Sequence, residues 1–206
     1  MLNHHELSSI NWNKVNGLIP CIIQNFSSSE VLMHGYMNEL ALQCTQKTKF
    51  VTFYSRTKKR LWKKGETSGN YLKVLNIVLD CDHDSILILV DSIGKTCHLN
   101  NTSCFDGYKT QYTNFFYLEK KIKDKKKHYF NDSYTSYLHK LGVNRIAQKL
   151  GEESIETVIA SINNNTQEFV NEATDLIYHL LVLLHNQNLS FSHIIKNLEI
   201  RNKKIK

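Results

Sequence analysis

Three aspartates alternate at Asp80, Asp82 and Asp84, and Cys81 sits among them. After an apolar run from Ile86 to Val90, two more cysteines follow at Cys97 and Cys104, the first beside His98. Carboxylate oxygens suit a hard cation such as Mg²⁺, and thiolates suit Zn²⁺. If the stretch opening at Asp80 is extended, alternation sends the three acids to one face and Cys81 to the other. Three thiolates leave the fourth zinc position open to a water, whose pKa the ion lowers toward neutrality. Plainer readings exist for each part. Alternating acids at a strand end are often a solvated turn, reduced cysteines are often small core residues, and C-x6-C is not a finger spacing. His98 next to Cys97 tips the set toward metal.

A second group of acids stands in a helical context. Glu152, Glu153 and Glu156 fall within QKLGEESIE, and Glu172 and Asp175 within NEATD. Glu153 and Glu156 are three apart, as are Glu172 and Asp175, so each helix presents a carboxylate pair on one face. Flanking apolar positions place some of these acids near a helix–helix seam, where like charges repel and packing gives no reason to gather them. Divalent cations would neutralise the cluster and polarise a bound phosphate chain, although single acids are ordinary on helix surfaces. The loop LWKKGETSGNYLK adds a third set. Gly65 and Gly69 permit close backbone approach, Thr67, Ser68 and nearby amides can bond phosphate oxygens, Lys63 and Lys64 add charge, and Trp62 offers a face to a base. It lacks the Walker spacing, and such loops are often only loops.

The elements that must position these groups fall into two regimes. Residues 12–30 read as a hairpin turning at Ser27–Glu30, and Val31–Tyr36 as a further strand. Asn38 caps a helix from Glu39 to about Thr45, Phe50–Ser55 is β-rich, and 56–70 is a polar loop. Strands at Val74–Leu79 and Ile86–Val90 flank the aspartates. From Tyr134 onward the period is helical. One helix runs from about Leu141 to Ile162, with Ile146, Leu150, Val158, Ile159 and Ile162 on one broad apolar face, and a second from about Gln167 to Asn186. Ser190 caps a third, to about Arg201. The expected fold is a mainly β α+β domain followed by an all-α domain.

The chain has 206 residues, 41% apolar, enough for real cores. Its formal charge is +7, which invites a nucleic-acid partner. The run Glu119–His128, however, holds six lysines against two acids, or +4, and leaves +3 for the rest. Such a run is usually a solvated linker or helix face, so no nucleic-acid partner is expected. No apolar run approaches the ~20 residues of a membrane span. No secretory signal is expected at the start, and five irregularly spaced cysteines argue for a reducing cytoplasm.

Residues 31–105 resemble phosphoribosyl-AMP cyclohydrolase through VLMHGYMNELAL, YSRTKKRLWKKGETSGN, LDCDHDSILILV and CH-x5-CF. Residues 134–201 resemble phosphoribosyl-ATP pyrophosphatase through SYTSYL, RIAQKLGEESIETVIA and NEATDLIYHLLVLL. The order resembles the fused bifunctional enzymes of histidine biosynthesis, implying a cyclohydrolase domain over 1–117, a charged linker over 118–133 and a pyrophosphohydrolase domain over 134–206. One departure is Tyr71-Leu72 after GETSGN, where many relatives carry other residues.

The resemblance implies cleavage of phosphoribosyl-ATP to phosphoribosyl-AMP and pyrophosphate, then opening of the adenine ring between N1 and C6 by zinc-activated water. It assigns Mg²⁺ to Asp80, Asp82 and Asp84, and Zn²⁺ to Cys81, Cys97 and Cys104, with Cys81 from one chain meeting Cys97 and Cys104 of another in a homodimer. His98 is implied in proton transfer or orientation. In the helical half, Glu152, Glu153, Glu156, Glu172 and Asp175 would hold Mg²⁺, with Glu153 and Glu156 catalytic. Ser55, Arg56, Trp62, Lys63, Lys64, Gly65, Glu66, Thr67, Ser68 and Gly69 would hold the phosphoribosyl part, and Arg145 and Lys149 would meet phosphates. The implied partners are small phosphoribosyl nucleotides.

Overall fold

A computed structural model describes residues 1–107, 109–127 and 133–203. The chain divides into two compact units, Met1–Asn114 and the residues from Phe115 on. The first holds a short helix α1 (His4–Ser8), strands β1 (Ile19–Asn25) and β2 (Val31–Met37), helix α2 (Glu39–Thr48), and strands β3 (Thr52–Ser55), β4 (Arg60–Lys63), β5 (Leu72–Leu79) and β6 (Ile86–Ser92). Four strands form one sheet in the order β2-β1-β6-β5, and β3 pairs with β4 in a separate ribbon. β1 runs parallel to β6, while β1–β2 and β5–β6 are antiparallel.

Local chemistry accounts for the joints of this unit. The β1–β2 turn forms because Asn25 Oδ1 accepts from the amides of Ser27 and Ser28, both at 2.9 Å. Asn38 caps α2 as expected, accepting from Ala41 N at 2.9 Å. Alternation along β1 and β6 buries Ile19, Cys21 and Ile23 against Ile86, Ile88 and Val90 in one core. Leu72 of the Tyr71-Leu72 pair is 1% exposed in that core. Two features were not anticipated: α1, and β4 inside the expected 56–70 loop. β4 forms because Leu61 and Trp62 pair with Tyr54 and Phe53, giving the ribbon an apolar side.

The second unit is helical: α3 (Gln111–Lys127), which spans the division, then α4 (Tyr134–Leu141), α5 (Val143–Ile162), α6 (Thr166–Asn186) and α7 (Phe191–Lys203). Residues 118–127 of the expected linker are the second half of α3, whose Ile122 joins Leu138, Ile146, Leu181 and Val182 in the core. Linker residues 128–132 and the last three residues of the expected helical domain lie outside the described residues, as does Tyr108. The lysine run has a structural member: Lys126 Nζ donates to the carbonyls of His185 at 2.7 Å and Asn186 at 3.1 Å. Those are carbonyls at the end of α6, where a helix lacks its own donors and its dipole favours a cation.

Only a narrow seam of the broad apolar face of the first long helix is buried within one chain. Ile146, Glu153 and Ala160, seven residues apart, are the buried members of α5, whereas Val158, Ile159 and Ile162 are exposed. Within one chain, α5 is covered along one line only, chiefly by α6 and α4. Ser190 does not act as the expected cap through its side chain, whose hydroxyl meets Ser192 Oγ and His193 Nδ1. The first amide of α7, Phe191 N, donates instead to Glu119 Oε1 at 2.7 Å.

Candidate functional site

In the first unit, the stretch from Asp80 to Ser85 is a turn between β5 and β6, not an extended segment. Asp80 Oδ1 accepts from the amides of Asp84 and Ser85, both at 3.0 Å, and His83 takes a left-handed φ of 60°. An aspartate opening a turn by binding amides a few residues on is ordinary Asx chemistry. The reversal, rather than strand alternation, brings carboxylate oxygens of Asp80, Asp82 and Asp84 within 4.8 Å of one another. Lys14 forms ion pairs with both Asp82 and Asp84. Its hydrogen bond holds the Asp82 carboxyl below the usual carboxylate range, and the two acids push the Lys14 ammonium up. The donor set is three hard oxygen ligands, two of them already drawn to a cation, which fits Mg²⁺.

The thiols divide differently. A loop after β6 is pinned to β2, with Ser103 Oγ donating to Val31 O at 2.7 Å and Cys104 N to Leu32 O at 2.7 Å. Within it Cys97 N donates to Asn101 O at 3.0 Å, and Leu99 N points to Cys97 Sγ at 3.5 Å. Partial burial, and then the neighbouring Cys97 thiol, push the Cys104 thiol up while Lys64 pulls it down. Such a close thiol pair suits Zn²⁺ in its chemistry. Cys81 is exposed on the acid turn and, among the described residues of one chain, joins no three-ligand cluster with the pair. His98 is exposed, with Nδ1 3.9 Å from Cys97 Sγ. Cys21 is a core residue whose thiol burial pushes up.

The residues expected to hold the phosphoribosyl part surround the β3–β4 ribbon. Ser55 Oγ accepts from Lys58 N at 3.1 Å, and the Arg56 guanidinium lies 4.0 Å from the centre of the Tyr36 ring. Trp62 packs on Phe53, Lys63 lies over Phe50 and Tyr71, and Lys64 is buried. Glu66 pairs with Arg60 at 2.6 Å, which holds its carboxyl low, and Thr67, Ser68 and Gly69 are exposed. Two glycines are required. At Gly65 (φ 92°) a Cβ would stand 2.6 Å from Asn70 O, and at Gly94 (φ 80°) 2.2 Å from Asn70 Oδ1.

In the helical unit, oxygens of Glu153, Glu156 and Glu172 lie within 4.8 Å of one another. Glu153 is 5% exposed, with Lys149 Nζ at 2.7 Å and His179 Nε2 at 3.8 Å from its Oε1. Desolvation, then Glu156 and Glu153, push the Glu172 carboxyl up, as expected of acids crowded together. Three carboxylates from two helices fit a divalent cation. Glu152 is engaged elsewhere, with Gln148 at 2.9 Å, Lys149 at 2.9 Å and Arg145 at 3.3 Å. Asp175 lines a cavity of about 370 Å³ together with Tyr134, Lys149, Glu153, Tyr178 and His179.

Lys14, His179 and Tyr178 were not reached from the sequence as site residues. His179 had a usable signal: Glu172, Asp175 and His179 fall at i, i+3 and i+7, one helical face. Lys14 had none, being brought to the acid turn by the fold alone.

Each unit meets its own relatives. The family model for phosphoribosyl-AMP cyclohydrolase matches residues 33–106, and that for phosphoribosyl-ATP pyrophosphohydrolase matches residues 116–202. The histidine biosynthesis bifunctional protein HisIE of Buchnera aphidicola subsp. Schizaphis graminum is 59% identical over 98% of both chains. That of Buchnera aphidicola subsp. Acyrthosiphon pisum is 57% identical over 99% of this chain and 95% of its own. The Haemophilus influenzae protein of the same name is 51% identical over 97% and 96%. Matched end to end and in this order of domains, the chain belongs to the bifunctional HisIE family, joining a phosphoribosyl-AMP cyclohydrolase domain to a phosphoribosyl-ATP pyrophosphohydrolase domain.

Proposed function

We propose that the chain performs both hydrolytic steps of histidine biosynthesis at two separate sites. The helical unit releases pyrophosphate from phosphoribosyl-ATP, and the β-rich unit opens the adenine ring of phosphoribosyl-AMP between N1 and C6. The observation that carries this reading is the duplication of the acid cluster: one lies in each compact unit, and each unit matches a different hydrolase family.

In the helical unit Glu153, Glu156 and Glu172 would hold Mg²⁺, with Asp175 beside them in the cavity. Lys149 holds Glu153 in place through their ion pair, and presents a cation to the phosphate chain once a metal shares that carboxylate. In the first unit Asp80, Asp82 and Asp84 would hold Mg²⁺, and Cys97 and Cys104, with Cys81 of a second copy, would hold Zn²⁺ in a homodimer. The position of Cys81, apart from the pair within one chain, supports that sharing. When bound, zinc supplies a water of lowered pKa, and magnesium neutralises phosphate charge. His98, beside Cys97, moves or orients the proton of the attacking water. The Gly65 turn and the Arg56–Tyr36 stack shape the phosphoribosyl side.

The test is a mass-spectrometric product assay on phosphoribosyl-ATP with and without chelator. The expected result is pyrophosphate and the ring-opened product when both metals are supplied, and loss of both after chelation. A folded, metal-supplied protein inert toward both phosphoribosyl nucleotides overturns the reading.

A further inference from the structure

The acid turn already contains a cation of the protein's own. Lys14 pairs with Asp82 and Asp84 from a segment far upstream in the chain. Two contacts that do not depend on its charge hold that segment in place: Asn11 N donates to His83 O at 3.1 Å, and His83 Nδ1 lies 3.3 Å from Ser9 O. Residues 9–14 therefore clasp the turn by backbone and ring contacts, and Lys14 reaches from the clasp across two of the three acids. Its side chain is 46% exposed, and its long stem lets the ammonium swing into water at small cost in contacts.

We propose that Lys14 is a tethered counter-cation of the acid turn, which a divalent ion must displace from Asp82 and Asp84 in order to bind. The inference rests on the reading of that turn as a divalent-cation site. An ammonium and a divalent ion cannot both sit against the same two oxygens, because the like charges would lie a few ångströms apart. The tether keeps the ammonium at high local concentration, so metal binding becomes an exchange between cations rather than a simple addition. Lys14 offsets the charge of two of the three acids in the metal-free chain and sets a floor on the metal concentration that fills the site. It is a positioning residue, acting through Asp82 and Asp84.

The experiment uses the full chain with Mn²⁺ as probe, following free Mn²⁺ by electron paramagnetic resonance. Wild type, Lys14→Met, Lys14→Arg and the double variant Asp82→Asn/Asp84→Asn are compared. The Asp double variant identifies which class of Mn²⁺ sites belongs to the turn, and the helical class serves as internal control. Lys14→Met is expected to tighten the turn class by about tenfold, the scale of one unit charge a few ångströms from a divalent ion in a well-solvated site. Lys14→Arg, which keeps the charge, stays near wild type. In parallel, acetylation of Lys14 by an amine-reactive reagent, read by peptide mass spectrometry, rises severalfold when Mg²⁺ is added. Unchanged or weaker Mn²⁺ binding in Lys14→Met, or acetylation that does not rise, overturns the inference while leaving the metal site standing. Failure of the Asp double variant to remove any class of Mn²⁺ sites overturns the metal reading of the turn and this inference together.

Discussion

The acid turn and the helical cluster each gather three carboxylates within 4.8 Å, and they do so by different means. In the turn the three acids lie within five residues, and the reversal that unites them is made by one of them, Asp80, through two backbone amides. In the helical unit two acids come from α5 and one from α6, so the cluster exists only if the helices pack in register. The counter-charges differ accordingly. Lys14 is remote in sequence and half exposed, whereas Lys149 precedes Glu153 by one helical turn and is mostly covered. A locally encoded site takes its counter-ion from the tertiary structure. A site assembled by tertiary packing carries its counter-ion on the same helix. In both, crowded like charges are a strain that a cation relieves.

The largest effect expected from breaking this contrast is functional separation. Glu153→Gln should lower pyrophosphate release by about a hundredfold or more while ring opening of supplied phosphoribosyl-AMP survives, since one charged group at a metal-phosphate site carries several kcal/mol. Cys97→Ser should do the reverse and lower the zinc bound per chain. Measuring both activities and zinc content in each folded variant checks this, and loss of both activities in one variant would merge the two sites.

Next in size is the cost of unmaking the turn. Asp80→Ala leaves the amides of Asp84 and Ser85 without their acceptor and should destabilise the first unit by about 1–2 kcal/mol. Both tryptophans, Trp12 and Trp62, belong to that unit. Denaturation followed by tryptophan fluorescence should therefore show the loss, with little change in the helical signal of circular dichroism.

The smallest effect is a pH dependence confined to the helical unit. Burial first, and then nearby lysines, hold the His139 and His185 imidazoles below their ordinary value, with Glu119 opposing this at His185. The folded state therefore takes up protons less readily than the unfolded chain. Stability is fully present above about pH 6.5, the unfolded imidazole value, and is lost progressively as pH falls below it. The midpoint by circular dichroism should fall between pH 7 and 5.5 more than the midpoint by tryptophan fluorescence. Equal shifts would show that the buried imidazoles are not the cause.

Much of this architecture was legible because it is local. Asn25 and Asn38 bind amides two or three residues on, so the β1–β2 turn and the start of α2 follow from side-chain reach alone. The i, i+3 acid pairs on α5 and α6 follow from helical period. What was misread depended on partners distant in sequence. The Asp80–Asp84 stretch reads equally well as a strand end until Asp80 bends it, and β4 forms only because Phe53 and Tyr54 lie opposite it. The broad apolar face of α5 is uncovered except along Ile146, Glu153 and Ala160, because periodicity gives the direction of a face and not the width of what covers it.

The amino-acid order by itself thus determined two composition regimes, the residue types that can hold cations, and their grouping into one turn and two helix faces. These depend on bond geometry and spacing within a few residues. Only the tertiary structure decided that Lys14 reaches Asp82 and Asp84, that His179 stands behind Glu153, and that Cys81 lies apart from Cys97 and Cys104. Each of those outcomes requires two segments far apart along the chain to be held side by side by burial of apolar surface, which has no direction of its own and leaves no local mark in the sequence.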